Sequence, residues 1–128
     1  MAQNPTERTP KSGTPAGMRE GMKKATTGML VLSLLRRRPM YTYEIMRRME
    51  EITEGVIAFN TLYIAIYRLK EYGYIEEEAR TFSSDNHVRI YFRITEAGIA
   101  HLDAITAEYR RMTAAIDRVL TVELPDEA

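Results

Sequence analysis

The sequence predicts a mainly α-helical protein with one small β-hairpin. Apolar residues recur at helical spacing in four segments, a turn-forming tetrapeptide lies between two extended runs, and the last helical segment is much the longest. A chain of 128 residues with 45% hydrophobic content can build one modest core. We therefore expect one domain of three shorter helices and a hairpin, followed by a long C-terminal helix.

The composition argues against an enzyme and against a membrane protein. The chain has no cysteine, and its two histidines, His87 and His101, lack metal-ligand spacing. No nucleophile with a nearby base is apparent, so we expect no catalytic residues, no metal and no cofactor. The longest mostly apolar run, residues 28–35, is far shorter than the roughly 20 residues of a membrane span. These features predict a soluble, cytoplasmic protein.

Composition also divides the chain into segments. Residues 1–17 contain Pro5, Pro10 and Pro15 among small polar residues, which predicts a disordered N-terminal arm without the apolar segment of a secretory signal. We expect a folded domain over residues 18–95, a further helix over 96–120 and a short tail over 121–128.

The first helix is predicted to begin near Met18 and to end before Pro39. The residues that are spaced three to four positions apart, as on one side of a helix, are Met22, Thr26, Met29, Leu30, Ser33 and Leu34. Residues 36–38, all arginines, are expected in its last turn, where cations suit the negative end of the helix dipole. Contact with phosphate groups is the alternative role of these arginines, and the sequence leaves both open.

The second helix is predicted to start after Thr42, whose hydroxyl can cap free amides, and to end at Gly55. Its predicted buried stripe consists of Ile45, Met46, Met49 and Ile52.

The third helix is predicted to begin near Asn60, a good N-cap, with Phe59 and Ile64 at the spacing of a hydrophobic staple. Gly73 is expected to close it as a left-handed cap. Its inward residues are predicted to be Leu62, Ile66 and Leu69. Its outward face is predicted to hold Thr61, Tyr63, Ile64, Tyr67, Arg68 and Glu71. Hydroxyl and guanidinium groups on one helix face suit hydrogen bonds to phosphates and base edges.

A β-hairpin is predicted around residues 83–86 (SSDN). Apolar residues of its second strand alternate with polar ones and predict one buried face, formed by Val88, Ile90, Phe92 and Ile94. His87, Arg89 and Arg93 fall on the tip and outer face, where glutamates 76–78 of the first strand can pair with Arg93 more readily than with Arg89.

The last helix is predicted to start at Thr95, its cap, and to run to about Leu120. Its apolar residues alternate three and four positions apart, as in a coiled coil, and we call them the seam: Leu102, Ile105, Tyr109, Met112, Ile116 and Val119. Such a helix is longer than a small three-helix core can cover, which favours a second copy of the chain as its partner. The alternative is packing on the first helix of its own chain.

Three helices, a hairpin and a projecting helix form a winged helix-turn-helix. Three segments in this order resemble the PadR-like transcriptional regulators, named for the phenolic-acid decarboxylase repressor. They are residues 39–45 (PMYTYEI, family PLHGYEI), 60–63 (NTLY, family GTLY) and 91–98 (YFRITEAG, family YYRLTEAG). The resemblance covers residues from about 22 to 120.

The resemblance implies a homodimeric repressor that binds a dyad-symmetric operator in double-stranded DNA near its own gene and releases it when an effector binds. It assigns DNA contacts to Tyr43, Thr61 and Tyr63. The exposed faces predicted above add Asn60, Tyr67, Arg68 and Arg89.

Three of the chain's departures from the family pattern bear on DNA binding. Tyr41 and Thr42 replace His-Gly, and Ile64 stands where many members have proline, so the phosphate contacts and the third helix are expected to differ. A single C-terminal helix resembles the smaller branch of the family.

In that smaller branch, flat aromatic compounds bind between the two subunits, often against a tryptophan. This chain has no tryptophan, so an aromatic effector would need other apolar side chains. Candidates for an adaptable pocket are Met18, Met22, Tyr109 and Met112. The alternative, which the sequence favours, is that these residues fill the core and the seam.

Charge supports DNA binding locally rather than over the whole chain. The formal net charge is zero, but residues 18–60 carry eight basic residues against five acidic ones. A winged fold that binds another protein without DNA is the alternative function, because a fold does not determine its function.

Overall fold

The computed structural model describes residues 10–82 and 86–126. The elements are α1 (Pro15–Leu35), β1 (Met40–Tyr41), α2 (Thr42–Ile52), α3 (Tyr63–Glu71), β2 (Ile75–Phe82), β3 (Val88–Ile94) and α4 (Glu96–Thr121). The strands form one antiparallel sheet in the order β1-β3-β2. The predicted mainly α fold with a winged helix-turn-helix and a long C-terminal helix is confirmed, but β1 makes the predicted hairpin a three-stranded sheet.

Helix α1 begins earlier than the sequence pattern suggests. Thr14 caps it, since its Oγ1 accepts a hydrogen bond of 3.0 Å from the Gly17 amide, and Pro15 occupies the first turn. The helix therefore includes residues 15–17, which were assigned to the arm, while residues 1–9 of that arm lie outside the described residues.

The other end of α1 also differs from the prediction. The helix ends at Leu35 with Arg36 as its C-cap, so the three arginines follow the helix instead of forming its last turn. Pro39 disfavours a helical conformation for the residue before it, Arg38. The last hydrogen bond at this end of the helix, from the Arg37 amide to the Leu34 carbonyl at 3.0 Å, is of the tighter 3₁₀ type.

The core lies between α1, α2, α3, the sheet and the start of α4. Its buried apolar residues are Val31, Leu32, Leu35, Met40, Ile45, Met49, Leu62, Ile66, Leu69, Ile75, Phe92 and Leu102. The inward face of α3 is confirmed in full. In α2 the prediction for Ile52 was wrong, because this side chain is 67% exposed at the last residue of the helix, beyond the reach of the core.

Neither α2 nor α3 starts with the predicted cap. The N-cap of α2 is Tyr41, which belongs to β1, and Thr42 is already helical. The N-cap of α3 is Leu62, two residues after Asn60, so the helix begins two residues later than the sequence predicted. With Leu62 as the N-cap, the staple positions are Thr61 and Ile66, so the predicted pair of Phe59 and Ile64 is out of register.

The end of α3 follows the prediction. Gly73 has φ of +78°, and its amide donates to the Lys70 carbonyl at 3.0 Å while the Tyr74 amide donates to the Leu69 carbonyl at 2.9 Å. This is a Schellman motif, in which the left-handed residue is most easily glycine. It turns the chain from α3 directly into β2.

We call the β2–β3 hairpin the wing. Its register pairs Glu76 with Arg93, and the two side chains form the predicted ion pair. The predicted turn lies largely outside the described residues, apart from Asn86 at φ of +69°. Among the described residues of the wing, burial is confined to its base, because Phe92 is 7% exposed whereas Val88 is 50% exposed.

Helix α4 begins at its predicted cap. The Thr95 Oγ1 accepts a hydrogen bond of 3.0 Å from the Gly98 amide. The Thr95 hydroxyl and amide in turn donate to the carbonyls of Gly73, at 2.6 Å, and Tyr74, at 3.0 Å. These bonds join α4 to the turn between α3 and the wing. No helix in the described ranges is long and apolar enough to cross a membrane.

Candidate nucleic-acid interface

The outward face of α3 is fully presented to solvent. The predicted residues Thr61, Tyr63, Tyr67 and Arg68 are all exposed, with exposed fractions of 81% for Tyr63 and 62% for Tyr67. Asn60 is exposed as well but lies with Thr61 in the segment before the helix, where the Thr61 hydroxyl accepts a hydrogen bond of 3.3 Å from the Tyr63 amide. This bond satisfies one of the free amides at the helix start.

A cleft lies between α2, α3 and the wing. Its volume is about 700 Å³, and four predicted DNA contacts line it: Tyr43 from α2, Tyr63 and Tyr67 from α3, and Arg89 from β3. We call it the tyrosine cleft. The other predicted contacts, Asn60, Thr61 and Arg68, lie outside it on the surface of α3 and the preceding segment.

Ten lining residues of the tyrosine cleft were not predicted as site residues, among them Tyr41, Lys70 and His87. Tyr41 has the clearest structural role, because the guanidinium carbon of Arg89 lies 4.7 Å from the centre of its ring. The same ring meets Tyr91 edge-on at 5.3 Å. The sequence showed Tyr41 only as a departure from a family pattern, since its placement depends on the pairing of β1 with β3.

Ion pairs hold much of the charge around the wing. The Lys70 Nζ lies 2.7 Å from Glu77, and Arg80 lies 2.9 Å from the same carboxylate. The hydrogen bond from Lys70 is the main reason that the pKa of Glu77 lies below its usual value. The Glu76 carboxylate pairs with Arg93. Glu77, the one carboxylate among the lining residues of the tyrosine cleft, is therefore neutralised within the protein, which reduces its repulsion of a phosphate backbone.

The three arginines after α1 have separate roles. Arg36 forms an ion pair of 2.8 Å with Asp103 of α4, and Arg38 pairs with Glu44, the one buried charged residue among those described. The hydrogen bond to Glu44 raises the pKa of Arg38. Arg37 has neither an ion pair nor a side-chain hydrogen bond to another described residue. Two of the three thus hold elements together, and only Arg37 has a guanidinium left for another molecule.

Comparison with known proteins identifies the family. The model of the Transcriptional regulator PadR-like family matches residues 31–104, which is more than half of the chain. The chain belongs to the PadR-like family. Members of this family are DNA-binding transcriptional regulators and not enzymes, and that general role holds for this protein. No curated protein sequence matches the chain significantly.

Solved structures agree with the PadR-like assignment. A transcriptional regulator from Clostridium thermocellum is 27% identical, with a TM-score of 0.71 over 80% of this chain and 99% of that one. A PadR-family regulator from Eggerthella lenta is 26% identical, with a TM-score of 0.70 over 84% of this chain and 93% of its own. A PadR-like regulator from Bacillus cereus, at 19% identity, shares the fold, with a TM-score of 0.67 over 80% of this chain and 99% of that one.

In this PadR-like chain the seam of α4 changes from buried to exposed along its length. Leu102 is 4% exposed and belongs to the core of its own chain, which leaves little of its side chain for a contact with a second chain. Ile105 and Tyr109 are half-buried. The exposed fraction then rises through Met112 (47%), Ile116 (50%) and Val119 (76%). The first turns of the helix thus pack within the chain, and the later turns leave apolar side chains uncovered.

The predicted effector residues lie on α1 and α4. Met18 and Met22 are 64% and 45% exposed, Met112 is 47% exposed, and Tyr109 is half-buried. They do not fill the core of the single chain, so an effector pocket and a place in the seam of a dimer are the two roles that remain.

Proposed function

We propose that this PadR-like regulator is a repressor that binds a dyad-symmetric operator as a homodimer. The observation that carries the proposal is the tyrosine cleft, where Tyr43, Tyr63, Tyr67 and Arg89 from three elements meet beside the exposed face of α3. A helix whose exposed side chains end in hydroxyl and guanidinium groups suits the major groove.

The arrangement divides the contacts into two classes. Thr61, Tyr63 and Arg68 project from the start and outer face of α3, where side chains reach base edges. Tyr43 at the start of α2 and Arg89 on the wing flank that helix, where they would contact phosphates of the two backbones. Asn60 and Tyr67 complete the contact set. Tyr67 donates a hydrogen bond of 3.2 Å to Glu71, so it would exchange that partner for DNA.

A homodimer would place two such surfaces on one operator. The uncovered part of the seam, from Met112 to Val119, is the apolar surface that a second α4 would bury. A helix of 26 residues is roughly 39 Å long, so its outer half projects beyond the core and is available to a partner.

An aromatic effector would act through the same surface. Met18, Met22, Tyr109 and Met112 lie on the two helices that a dimer would bring together, and thioethers adapt to flat apolar ligands. Binding there would change the separation of the two α3 helices and release the operator. Titration with planar aromatic compounds should release operator from the wild type, and Tyr109→Ala should abolish that release.

Fluorescence anisotropy tests the DNA contacts. The full-length protein is titrated against a duplex from directly upstream of its own gene and against a scrambled duplex, at several salt concentrations. We expect at least an about thousandfold preference for the first duplex, with affinity falling as salt increases.

Paired variants locate the contact. Tyr63→Ala/Arg68→Ala should abolish the preference, whereas the matched control Tyr72→Ala/Arg110→Ala removes the same side-chain types at exposed positions outside the proposed contacts and should keep it. Equal, weak binding to both duplexes, unchanged by Tyr63→Ala/Arg68→Ala, would instead support the protein-interaction module.

Analytical ultracentrifugation tests the dimer. Met112→Glu or Ile116→Glu places a charge on the uncovered seam and should give monomers with weaker operator binding, since one half-site offers half the phosphate contacts. Ala114→Glu adds the same charge at an exposed position of α4 outside the seam and should leave the dimer intact. Dimers that persist in both seam variants would show that another surface joins the subunits.

A further inference from the structure

A second concave surface lies between α1 and α2. It has a volume of about 450 Å³ and shares no lining residue with that cleft. We call it the arginine groove. Its main lining residues are Leu30, Leu34, Arg37, Arg48, Met49 and Ile52. The volume falls within the range of about 300–1,000 Å³ typical of small-molecule sites.

The floor of the arginine groove is apolar, because the apolar stripe of α2 continues beyond the part that the core covers. Along α2, Ile45 is fully buried and Met49 is 3% exposed, but Ile52, next on the same stripe, is 67% exposed. Leu30 and Leu34 of α1 face the same space and are only half-buried. The groove therefore offers apolar contact that no element of the described chain covers.

The polar part of the groove is cationic. Its lining includes three arginines and neither Asp nor Glu. Arg38 is held by Glu44, but Arg37 has no side-chain partner among the described residues, and Arg48 has only a long contact of 3.5 Å to Glu51. Two guanidinium groups thus remain available beside the apolar floor, and guanidinium groups bind carboxylates in a bidentate manner.

We propose that the arginine groove binds a small amphipathic carboxylate, with its alkyl chain on Leu30, Leu34 and Ile52 and its carboxylate on Arg37 and Arg48. The size and charge of the groove match a fatty acid of medium chain length. This site is separate from the seam and from the surface proposed for DNA, so it does not depend on the function proposed above.

Methyl NMR of the full-length protein, labelled at methionine and isoleucine methyl groups, tests the site with decanoate as the probe. Decanoate should cause saturable shifts of the Met49 and Ile52 signals and leave Met112 and Ile116 unchanged. Decyltrimethylammonium has a chain of the same length and the opposite charge, and it should cause no saturable shift in the groove.

Variants then test each half of the site. Arg37→Gln/Arg48→Gln should weaken decanoate binding about fivefold, as expected for two exposed charge pairs. Arg110→Gln/Arg118→Gln makes the same change at exposed residues of α4 and should leave the affinity unchanged. Ile52→Asp alters an exposed residue, so the fold should persist by circular dichroism while saturable binding is lost.

Three results would overturn the proposal. Shifts confined to Met112 and Ile116 would place the ligand at the seam. Equal binding of the cationic probe would show that apolar contact alone is responsible. Equal affinity of the two double arginine variants would remove the guanidinium groups from recognition.

Discussion

Gly98 lies where the wing passes into α4, in the first turn of that helix. A methyl group added there would place its carbon 2.1 Å from the Tyr74 carbonyl oxygen and 2.7 Å from a side-chain carbon of Ile94. The first contact is with the backbone, so a side-chain rotation cannot relieve it. Gly98→Ala therefore forces α4 and the turn before β2 apart by roughly 1 Å.

The loss of stability can be estimated from the packing and the hydrogen bonds that this separation disturbs. Overpacking typically costs about 1–3 kcal/mol. The two hydrogen bonds from Thr95 to Gly73 and Tyr74, which join the same two segments, contribute about 1 kcal/mol each. Alanine regains at most about 1 kcal/mol as a better helix former. We expect the free energy of unfolding to fall by about 2–4 kcal/mol.

Urea unfolding followed by circular dichroism measures the loss, at one fixed protein concentration because association affects stability. The matched control is Gly21→Ala, at an exposed glycine within α1 where an added methyl meets nothing within 4 Å. That variant should be more stable by up to about 1 kcal/mol. A decrease in the free energy of unfolding of less than about 0.5 kcal/mol for Gly98→Ala would refute the argument that α4 and the turn before β2 are too tightly packed to admit a methyl group.

Three further outcomes are expected. Tyr41→Phe keeps the ring beneath the wing arginine and should retain operator affinity, whereas Tyr41→Leu should weaken it several-fold in anisotropy titrations; equal affinities would exclude a role for the ring. Lys70→Met should raise the pKa of Glu77 towards its usual value in a carboxyl NMR titration. Because the pKa of Glu77 is lower in the folded state, its ionised form stabilises the fold at neutral pH, and this stabilisation is lost as the pH falls below about 4. The free energies of unfolding of wild type and variant should therefore converge in acid. Ile45→Ala should cost about 2–5 kcal/mol in urea unfolding and Ile52→Ala much less; similar losses would contradict their different burial.

Local chemistry explains the features that the sequence predicted well. Gly73 ends α3 because the chain adopts a left-handed conformation directly after the helix, which glycine allows most easily. Thr95 starts α4 because its hydroxyl accepts a hydrogen bond from the amide three residues later. The spacing of Leu62, Ile66 and Leu69 places them on one helix face wherever that helix packs. The exposed face of α3 follows from the same geometry.

Long-range packing decided the features that the sequence did not predict. Strand β1 exists because Met40 and Tyr41 pair with β3, about fifty residues away, and that pairing displaces the cap of α2 and brings Tyr41 beneath Arg89.

The amino-acid sequence by itself determined the order of the elements, the ends of α3 and α4 that depend on local hydrogen bonds, and membership of the PadR-like family. The tertiary structure decided how far the core extends. Ile52 and Leu102 both continue helical apolar stripes, yet one is exposed and the other is buried, because burial depends on whether another element reaches that position. The sequence pattern predicts which face of a helix is apolar, and only the tertiary structure shows which residues of that face are buried.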